Sequence, residues 1–329
     1  MKIGIISDAH LFHKYAITTK QYKNILSNLD TDIVVDCGDL TDGSMLSAPQ
    51  LDNLFTVFKD INKPYYYVSG NHDSFEGTTV ASILNLNKNI HIIKDVTVLD
   101  NMLFIPYINN IKQLYLNLDK IVKEPLDVAF SHLNITNLFY ADIPFNNSKN
   151  LHKYADIWFN GHIHNPEIKE DIYGTVYNVG SCSALTFGDT HIPCYTIYDT
   201  DTKNMTQYTI EGTHIFKIYN TNNVFDVKES IQELTKKFIL HCRFNLQNTK
   251  NSLDLKRDIC NNLKDIDNIF ISFNSVSNIV KNNTVNSDIK IKTENKESLL
   301  EQLFKYFEQD TKTIIDENMK KEVYNIDKI

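Results

Sequence analysis

The residues able to do chemistry come as short fragments in a fixed order: Asp8-Ala9-His10, Gly38-Asp39, Gly70-Asn71-His72-Asp73, Ser131-His132 and Gly161-His162-Ile163-His164. Carboxylate, carboxamide and imidazole are together the donor set of a divalent transition-metal site. Imidazole suits Mn, Fe and Zn, while carboxylate neutralises charge and can bridge. Two-metal sites hold their ions roughly 3.5–4 Å apart, so one carboxylate must touch both. Asp39 is the natural bridge, because it follows Gly38 where the chain leaves a strand and turns closely past the ions. One residue separates Asp8 from His10, and one separates His162 from His164; in an extended strand end that spacing puts both members of a pair on one face. These pairs with Asp39, Asn71 and His132 make enough ligands for two ions, with positions left for water and phosphate.

Singly, each fragment is a common turn sequence. Gly-Asn reads as a turn, and Asp73 can cap a following helix. Independent turns have no reason all to choose metal ligands, and that carries the inference. His13, His91, His152, His191, His214 and His241 lie outside the set and read as surface or satisfied core residues. His13 follows the first motif and is the one placed to face substrate.

Each fragment follows an apolar run that reads as a buried strand. Strands are expected at Ile3–Ser7, Ile33–Cys37, Tyr65–Ser69, Leu103–Ile105, Val128–Phe130, Ile157–Phe159, Val176–Val179 and Tyr195–Tyr198. Helical spacing recurs in Tyr22, Ile25, Leu26 and Leu29 behind Thr18 or Thr19, in Leu51, Leu54, Phe55 and Phe58, and over Val80–Leu86. The alternation predicts a layered α/β-sandwich domain over residues 1–202. Asp199–Asn204 is polar and reads as a turn or linker. Beyond it, strand His214–Tyr219, helix Val227–Phe238, strand Leu240–Leu246, helix Leu253–Leu263 and strand Ile269–Phe273 predict a smaller α/β unit over 205–275. An Asn-rich run precedes a C-terminal helical extension over 290–329. One side of its first helix carries Leu299, Leu300, Leu303, Phe304 and Phe307, either for packing on its own domain or for docking a partner.

The 329-residue chain is 42% hydrophobic, enough for a sizeable core, and has no run apolar enough to span a bilayer. Its N-terminal apolar stretch runs straight into the first motif and reads as a core strand, not a signal peptide. Cys37, Cys182, Cys194, Cys242 and Cys260 form no C-x-x-C pair, which suits buried thiols in a reducing cytoplasm. The net charge of −8 is uneven: residues 1–202 hold 14 Lys+Arg against 23 Asp+Glu (−9), and residues 203–329 hold 19 against 18 (+1). A strongly basic nucleic-acid grip is therefore missing from the composition. Divalent cations in the acidic half would supply positive charge where a phosphate must sit.

These motifs resemble the calcineurin-like metallophosphoesterases over about the first 190 residues. Within that superfamily they are most similar to the SbcD-type double-strand-break repair nucleases, including phage recombination nuclease subunits. Leu103-Phe104-Ile105-Pro106-Tyr107 matches an apolar-Pro-aromatic strand end of that family. Asn178-Val179-Gly180-Ser181 with Leu185-Thr186-Phe187-Gly188-Asp189 resembles its Gly-Ser…Phe segment, and the unit after residue 205 fits its capping domain. Gly38-Asp39-Leu40-Thr41-Asp42-Gly43 lacks the Arg of the Ser/Thr phosphatase branch, and the third motif ends in Asp73 rather than Glu.

The resemblance implies two ions, manganese by preference. One is expected on Asp8, His10, Asp39 and His164, the other on Asp39, Asn71, His132 and His162. His72 is expected to contact the scissile phosphate and assist the leaving group. It further implies a DNA exo/endonuclease subunit working at double-strand ends with an SMC-like coiled-coil ATPase of the SbcC type, as a cytoplasmic homodimer, with no membrane partner. A phage origin, and hence the host cytoplasm, fits the short Lys/Asn-rich chain. A phosphodiesterase for a small nucleotide is the alternative on the same scaffold, and a catalytically vestigial end-binding subunit is a third.

Overall fold

The computed structural model describes residues 1–75, 78–79, 84, 87–136, 143, 149–247 and 252–276. The expected helix over Val80–Leu86 lies, apart from Leu84, outside the described residues, as does the whole C-terminal extension over 290–329. In chain order the first elements are β1 (Lys2–Ile6), α1 (Thr19–Asn28), β2 (Ile33–Asp36), α2 (Ala48–Phe58), β3 (Tyr65–Val68), β4 (Ser74–Phe75), β5 (Thr78–Thr79) and β6 (Ile90–Ile93). Then come β7 (Thr97–Leu99), β8 (Met102–Ile105), α3 (Ile111–Ile121), β9 (Leu126–Ser131), β10 (Ala155–Asn160), β11 (Glu167–Asp171), β12 (Gly174–Asn178) and β13 (Cys194–Asp199). The last are β14 (Asn204–Thr209), β15 (His214–Tyr219), α4 (Phe225–Thr235), β16 (Ile239–Gln247), α5 (Ser252–Leu263) and β17 (Ile269–Val276).

Two six-stranded sheets stack face to face, ordered β14-β13-β1-β2-β3-β6 and β11-β12-β10-β9-β8-β7. Alternation along each strand divides its side chains between two cores. Ile3 and Ile5 of β1, Val35 of β2 and Val68 of β3 meet Phe104, Phe130 and Phe159 between the sheets. Ile6, Val34, Tyr65 and Tyr67 face the other way, onto Tyr22 and Leu26 of α1 and Leu54 and Phe58 of α2. On the far side, Leu103, Ala129, Trp158 and Val176 pack on Leu114 and Leu118 of α3. The layers thus run helix, sheet, sheet, helix.

Register turns the inter-sheet aromatics into a ladder. Phe104 pairs with Phe130, Phe130 with Phe159 and Phe159 with Tyr177, and the rings stack at 5.5, 5.6 and 5.2 Å. Such cross-strand pairs stabilise a sheet and hold its register. Thr18 caps α1 in a capping box with Gln21.

Helix α3 is absent from the sequence expectations, although Ile111, Leu114, Tyr115 and Leu118 recur at helical spacing. Asp199–Asn204 is a hairpin turn: β14 pairs antiparallel with β13, so the first sheet continues to Thr209. The third sheet is parallel, β15-β16-β17. One of its faces packs on α4 and α5 through Ile215, Leu240, Phe244, Ile231 and Ile259. The other face meets the first motif's loop, where Tyr15 lies 5.4 Å from the Phe216 ring and 4.8 Å from that of His241. None of the described helices is long and apolar enough to cross a membrane.

Candidate metal centre

β1, β2 and β3 run parallel, and so do β9 and β10. Each ends just before one of the motifs, so the motifs leave the carboxyl ends of two stacked sheets at one edge. Backbone bonds lock the ends together: Asp8 N donates to Gly38 O (2.9 Å), His10 N to Asp39 O (2.9 Å) and Gly161 N to Ser131 O (2.9 Å).

Three groups of ligand-type atoms result among the described residues: one, His10 with Asp39 and His72, straddles the middle, and the other two lie on either side of Asp39. In the first of these two, Asp8, His10 and His164 bring their donor atoms within 4.8 Å of one another. His10 Nε2 and His164 Nε2 face each other at 3.2 Å, and Asp8 Oδ1 lies 3.9 and 3.7 Å from them. In the second, Asp39, His132 and His162 converge in the same way. His132 Nε2 is 3.3 Å from Asp39 Oδ2, and Asn71 Oδ1 lies 3.1 Å from His132 Nε2 and 3.0 Å from His162 Nδ1. Asp39 Oδ2 also lies 3.9 Å from His10 Nε2, which makes its carboxylate common to both groups.

The donors fit divalent cations. Asp8 Oδ1 is fully buried with no hydrogen-bond partner, yet two imidazole nitrogens point at the same space. An orphaned buried carboxylate oxygen is costly unless something positive satisfies it. Asp8's other oxygen is satisfied by Ser7 Oγ and by His162 N at 3.0 Å.

Backbone conformation does much of the aiming. Asp8 (φ 51°), His10 (φ 46°), Asp39 (φ 53°) and His162 (φ 67°) all occupy the left-handed region. That region costs non-glycine residues of order 1–3 kcal/mol each and is concentrated at functional sites. The expectation that each pair shares a face in extended chain is therefore corrected. Asp8 and His10 converge through left-handed turns, and His162 and His164 part company into different groups. Glycine is required where the chains crowd. A Cβ on Gly70 would meet Asp39 Oδ1 and lie 2.8 Å from its Cγ; on Gly38, itself at φ +103°, it would sit 2.9 Å from His132 Cγ.

Outward-facing atoms of the ligand-type side chains are also held. His132 Nδ1 is 2.6 Å from the Cys37 carbonyl, and His164 Nδ1 is 2.9 Å from Asp189 Oδ1. Asp189 Oδ2 in turn accepts from Leu185 N (2.9 Å) and Thr186 N (2.8 Å). His10 Nδ1 is not held in the same way: it is buried without a hydrogen bond, with Asp42 Oδ1 3.5 Å away. Asp73 caps no helix among the described residues. Its buried carboxylate accepts from Leu40 N (3.3 Å) and Thr41 N (3.2 Å), tying the third motif to the chain after Asp39.

Charges in the centre are strongly coupled. Burial works against the His132 imidazolium, but the Asp39 carboxylate outweighs it and carries the pKa up to about 10. Burial likewise raises Asp39, and the same contact holds it well below the usual carboxylate range. His162 is pushed down to about 4 by burial and by neighbouring His132. Metal binding must displace the His132 proton, so affinity should rise with pH.

All the residues singled out in the sequence, Asp8, His10, Asp39, Asn71, His132, His162 and His164, are thus brought together. His72 sits at their rim, its side chain 46% exposed and its Nε2 4.0 Å from Asp39 Oδ2. Its backbone N donates to Asp39 Oδ1 at 2.8 Å. Sequence reasoning assigned no role to Asp189 or Asp42, and local sequence carries no signal for them. Asp189 reaches His164 across 25 residues of chain. Tyr107 is also at the rim, 5.7 Å ring to ring from His162.

The family model described as the calcineurin-like phosphoesterase superfamily domain matches residues 1–203. Among solved structures, the chain is similar to an archaeal phosphodiesterase, at 20% identity and TM-score 0.39, covering 64% of this chain and 99% of that one. It is similar to Vps29 from Entamoeba histolytica complexed with Zn2+, at 16% and 0.34, covering 64% and 92%. GAP50, the anchor in the inner membrane complex of Plasmodium, is similar at 13% and 0.39, covering 65% and 90%. No curated protein sequence matches. The matched segment is more than half of the chain and contains every strand end that meets at Asp39, and the chain belongs to the calcineurin-like phosphoesterase superfamily.

Proposed function

We propose that this chain is a two-metal phosphodiesterase acting on DNA, a nuclease subunit of the SbcD type. The observation that carries the phosphodiesterase reading is the pair of ligand groups meeting at one shared carboxylate, Asp39. Asp8, His10, Asp39 and His164 would hold one ion, and Asp39, Asn71, His132 and His162 the other, with Mn2+ the metal favoured by the family resemblance. Such cations supply Lewis acidity to phosphoryl oxygens and bring the pKa of water toward neutrality. Asp8 and Asp39 would supply the negative charge that holds them, and the imidazoles would supply neutral nitrogen donors. His72, the catalytic residue, stands at the open rim and delivers a proton from its ring to the leaving 3′ oxygen, a contribution of roughly 10²–10⁴-fold.

DNA as substrate is supported by the chain beyond the matched segment. Its 329 − 203 = 126 residues include a sheet packed beside the first motif's loop. There Lys217 Nζ donates to Thr190 O (3.0 Å), and the Arg243 guanidinium lies 3.8 Å over the Phe187 ring. The presence of this added unit beside the motif loop is the reason to prefer a long substrate over a small nucleotide. An SMC-like ATPase partner and a homodimer belong to the same proposal.

The test uses the purified full chain with Mn2+, linear duplex DNA and a small chromogenic diester, beside Asp39→Asn. Metal-dependent loss of duplex by the wild type and none by the variant supports the reading. Cleavage of the chromogenic diester alone, even with the ATPase present, replaces it with a small-molecule phosphodiesterase. Inertness toward both substrates removes the enzymatic reading.

A further inference from the structure

The two ligand groups are unequal in charge, and the inequality has a direction. The first contains Asp8 and the shared Asp39, and its His164 is backed by a third carboxylate, Asp189, at 2.9 Å. The second contains Asp39 as its sole carboxylate, completed by the neutral Asn71 carboxamide and two imidazoles. Its His132 is backed by a backbone carbonyl, Cys37 O, at 2.6 Å. Ligand charge and rigidity set the affinity of a divalent site. A carboxylate behind an imidazole fixes its tautomer and raises its basicity as a ligand, and loss of such a partner typically costs 10–100-fold in metal affinity.

Asp189 is built for that task. Two backbone N–H groups, of Leu185 and Thr186, pin its Oδ2, which leaves Oδ1 aimed at His164 Nδ1. With Nδ1–H committed to Asp189, the Nε2 lone pair of His164 faces inward, toward His10 Nε2 and Asp8 Oδ1. Asp8 Oδ1 is buried without a hydrogen-bond partner, so this group gains most from a first cation.

Resting on the two-metal reading above, we infer that the centre loads in order. The Asp8–His10–His164 group takes the first divalent ion tightly, and Asp189 is the positioning residue that makes it tight. The Asn71–His132–His162 group takes the second ion weakly, and the substrate's phosphate oxygens complete that coordination. Resting protein at low metal is therefore a one-ion species, and turnover depends on the concentration of the second ion.

The test is Mn2+ titration of the metal-stripped full chain by calorimetry, with electron paramagnetic resonance in parallel. Two steps at least about tenfold apart are expected, from the effect of an orienting carboxylate. One equivalent of Mn2+ should give the spectrum of an isolated ion, and spin-coupled pairs should form only as the second equivalent binds. Asp189→Asn should weaken the tight step about 10–100-fold and leave the weak one in place, whereas His162→Gln should remove the weak step alone. Two steps of equal affinity, or coupled pairs at one equivalent in the wild type, overturn ordered loading, and neither depends on a variant's folding. A tight step unmoved in folded Asp189→Asn overturns its role. No Mn2+ binding at all instead defeats the two-metal reading itself.

Discussion

Asp36 offers the sharpest quantitative test of how the centre is supported. It closes β2 three residues before Asp39 and is 1% exposed. Its Oδ2 accepts from Tyr22 Oη (2.6 Å) and Tyr65 Oη (2.7 Å), and its Oδ1 accepts from Gly38 N (3.0 Å), which fixes the turn that presents Asp39. Burial drives the carboxyl up from its ordinary 3.8 to about 6, against the pull of those three hydrogen bonds. The folded state therefore binds this proton more tightly than the unfolded chain does. The group's stabilising contribution is complete below the unfolded value and is lost as pH rises through about 6. At about 1.36 kcal/mol per pKa unit, the whole loss is about 3 kcal/mol, of which about 2 kcal/mol falls between about pH 4.5 and 7.5. Asp36→Asn cannot ionise. It keeps an acceptor for Gly38 N and loses about 1 kcal/mol of tyrosine hydrogen bonding at every pH. Urea unfolding of both proteins in chelator across that range should show the variant gaining on the wild type by about 2 kcal/mol as pH rises. A stability difference that stays flat with pH would falsify this account of a buried, reluctantly ionised carboxyl.

The same geometry sets three other outcomes. His72→Ala should keep both ions by metal analysis and lose roughly 10²–10⁴ in kcat; full activity would remove its role as proton donor. Gly70→Ala drives a methyl group into the Asp39 carboxylate, and because both ligand groups share Asp39, calorimetry should show both metal steps weakened. A displacement of about 1 Å at such a centre costs on the order of 10² in rate. Saturating Mn2+ at about 100 times its dissociation constant should raise unfolding stability by about 2.7 kcal/mol, reversed by chelator. An unchanged thermal midpoint across a Mn2+ series would show that the folded chain has no preferential site.

Much of the architecture was legible because its strands are short apolar runs and each run stops at a polar motif. The parallel unit over His214–Val276 was readable for the same reason. Its strands and helices alternate with abrupt changes of hydrophobic period. The turn at Asp199–Asn204 was legible as a turn but not as a hairpin, since pairing of β14 to β13 depends on a distant sheet edge. Helix α3 escaped although it is as long as α2 and its Ile111, Leu114, Tyr115 and Leu118 recur at helical spacing, so the signal was present in the sequence and was passed over. The exposed β14, with only Met205 half-buried, had no apolar alternation to announce it.

The identity of the ligands was a property of the chain itself: residue types that bind divalent cations, placed where strands end. How they group was not legible in local spacing, and only the family resemblance supplied it. Local spacing paired His162 with His164, and the folded chain separates them, because a left-handed turn at His162 overrides simple alternation. The carboxylate behind His164, the carbonyl behind His132 and the unpaired oxygen of Asp8 arise only in the folded chain, which brings together residues 25, 95 and 156 positions apart within 4 Å. Side-chain chemistry is written residue by residue, but charge asymmetry and ligand geometry are properties of distances. Distances between remote segments are decided by tertiary packing.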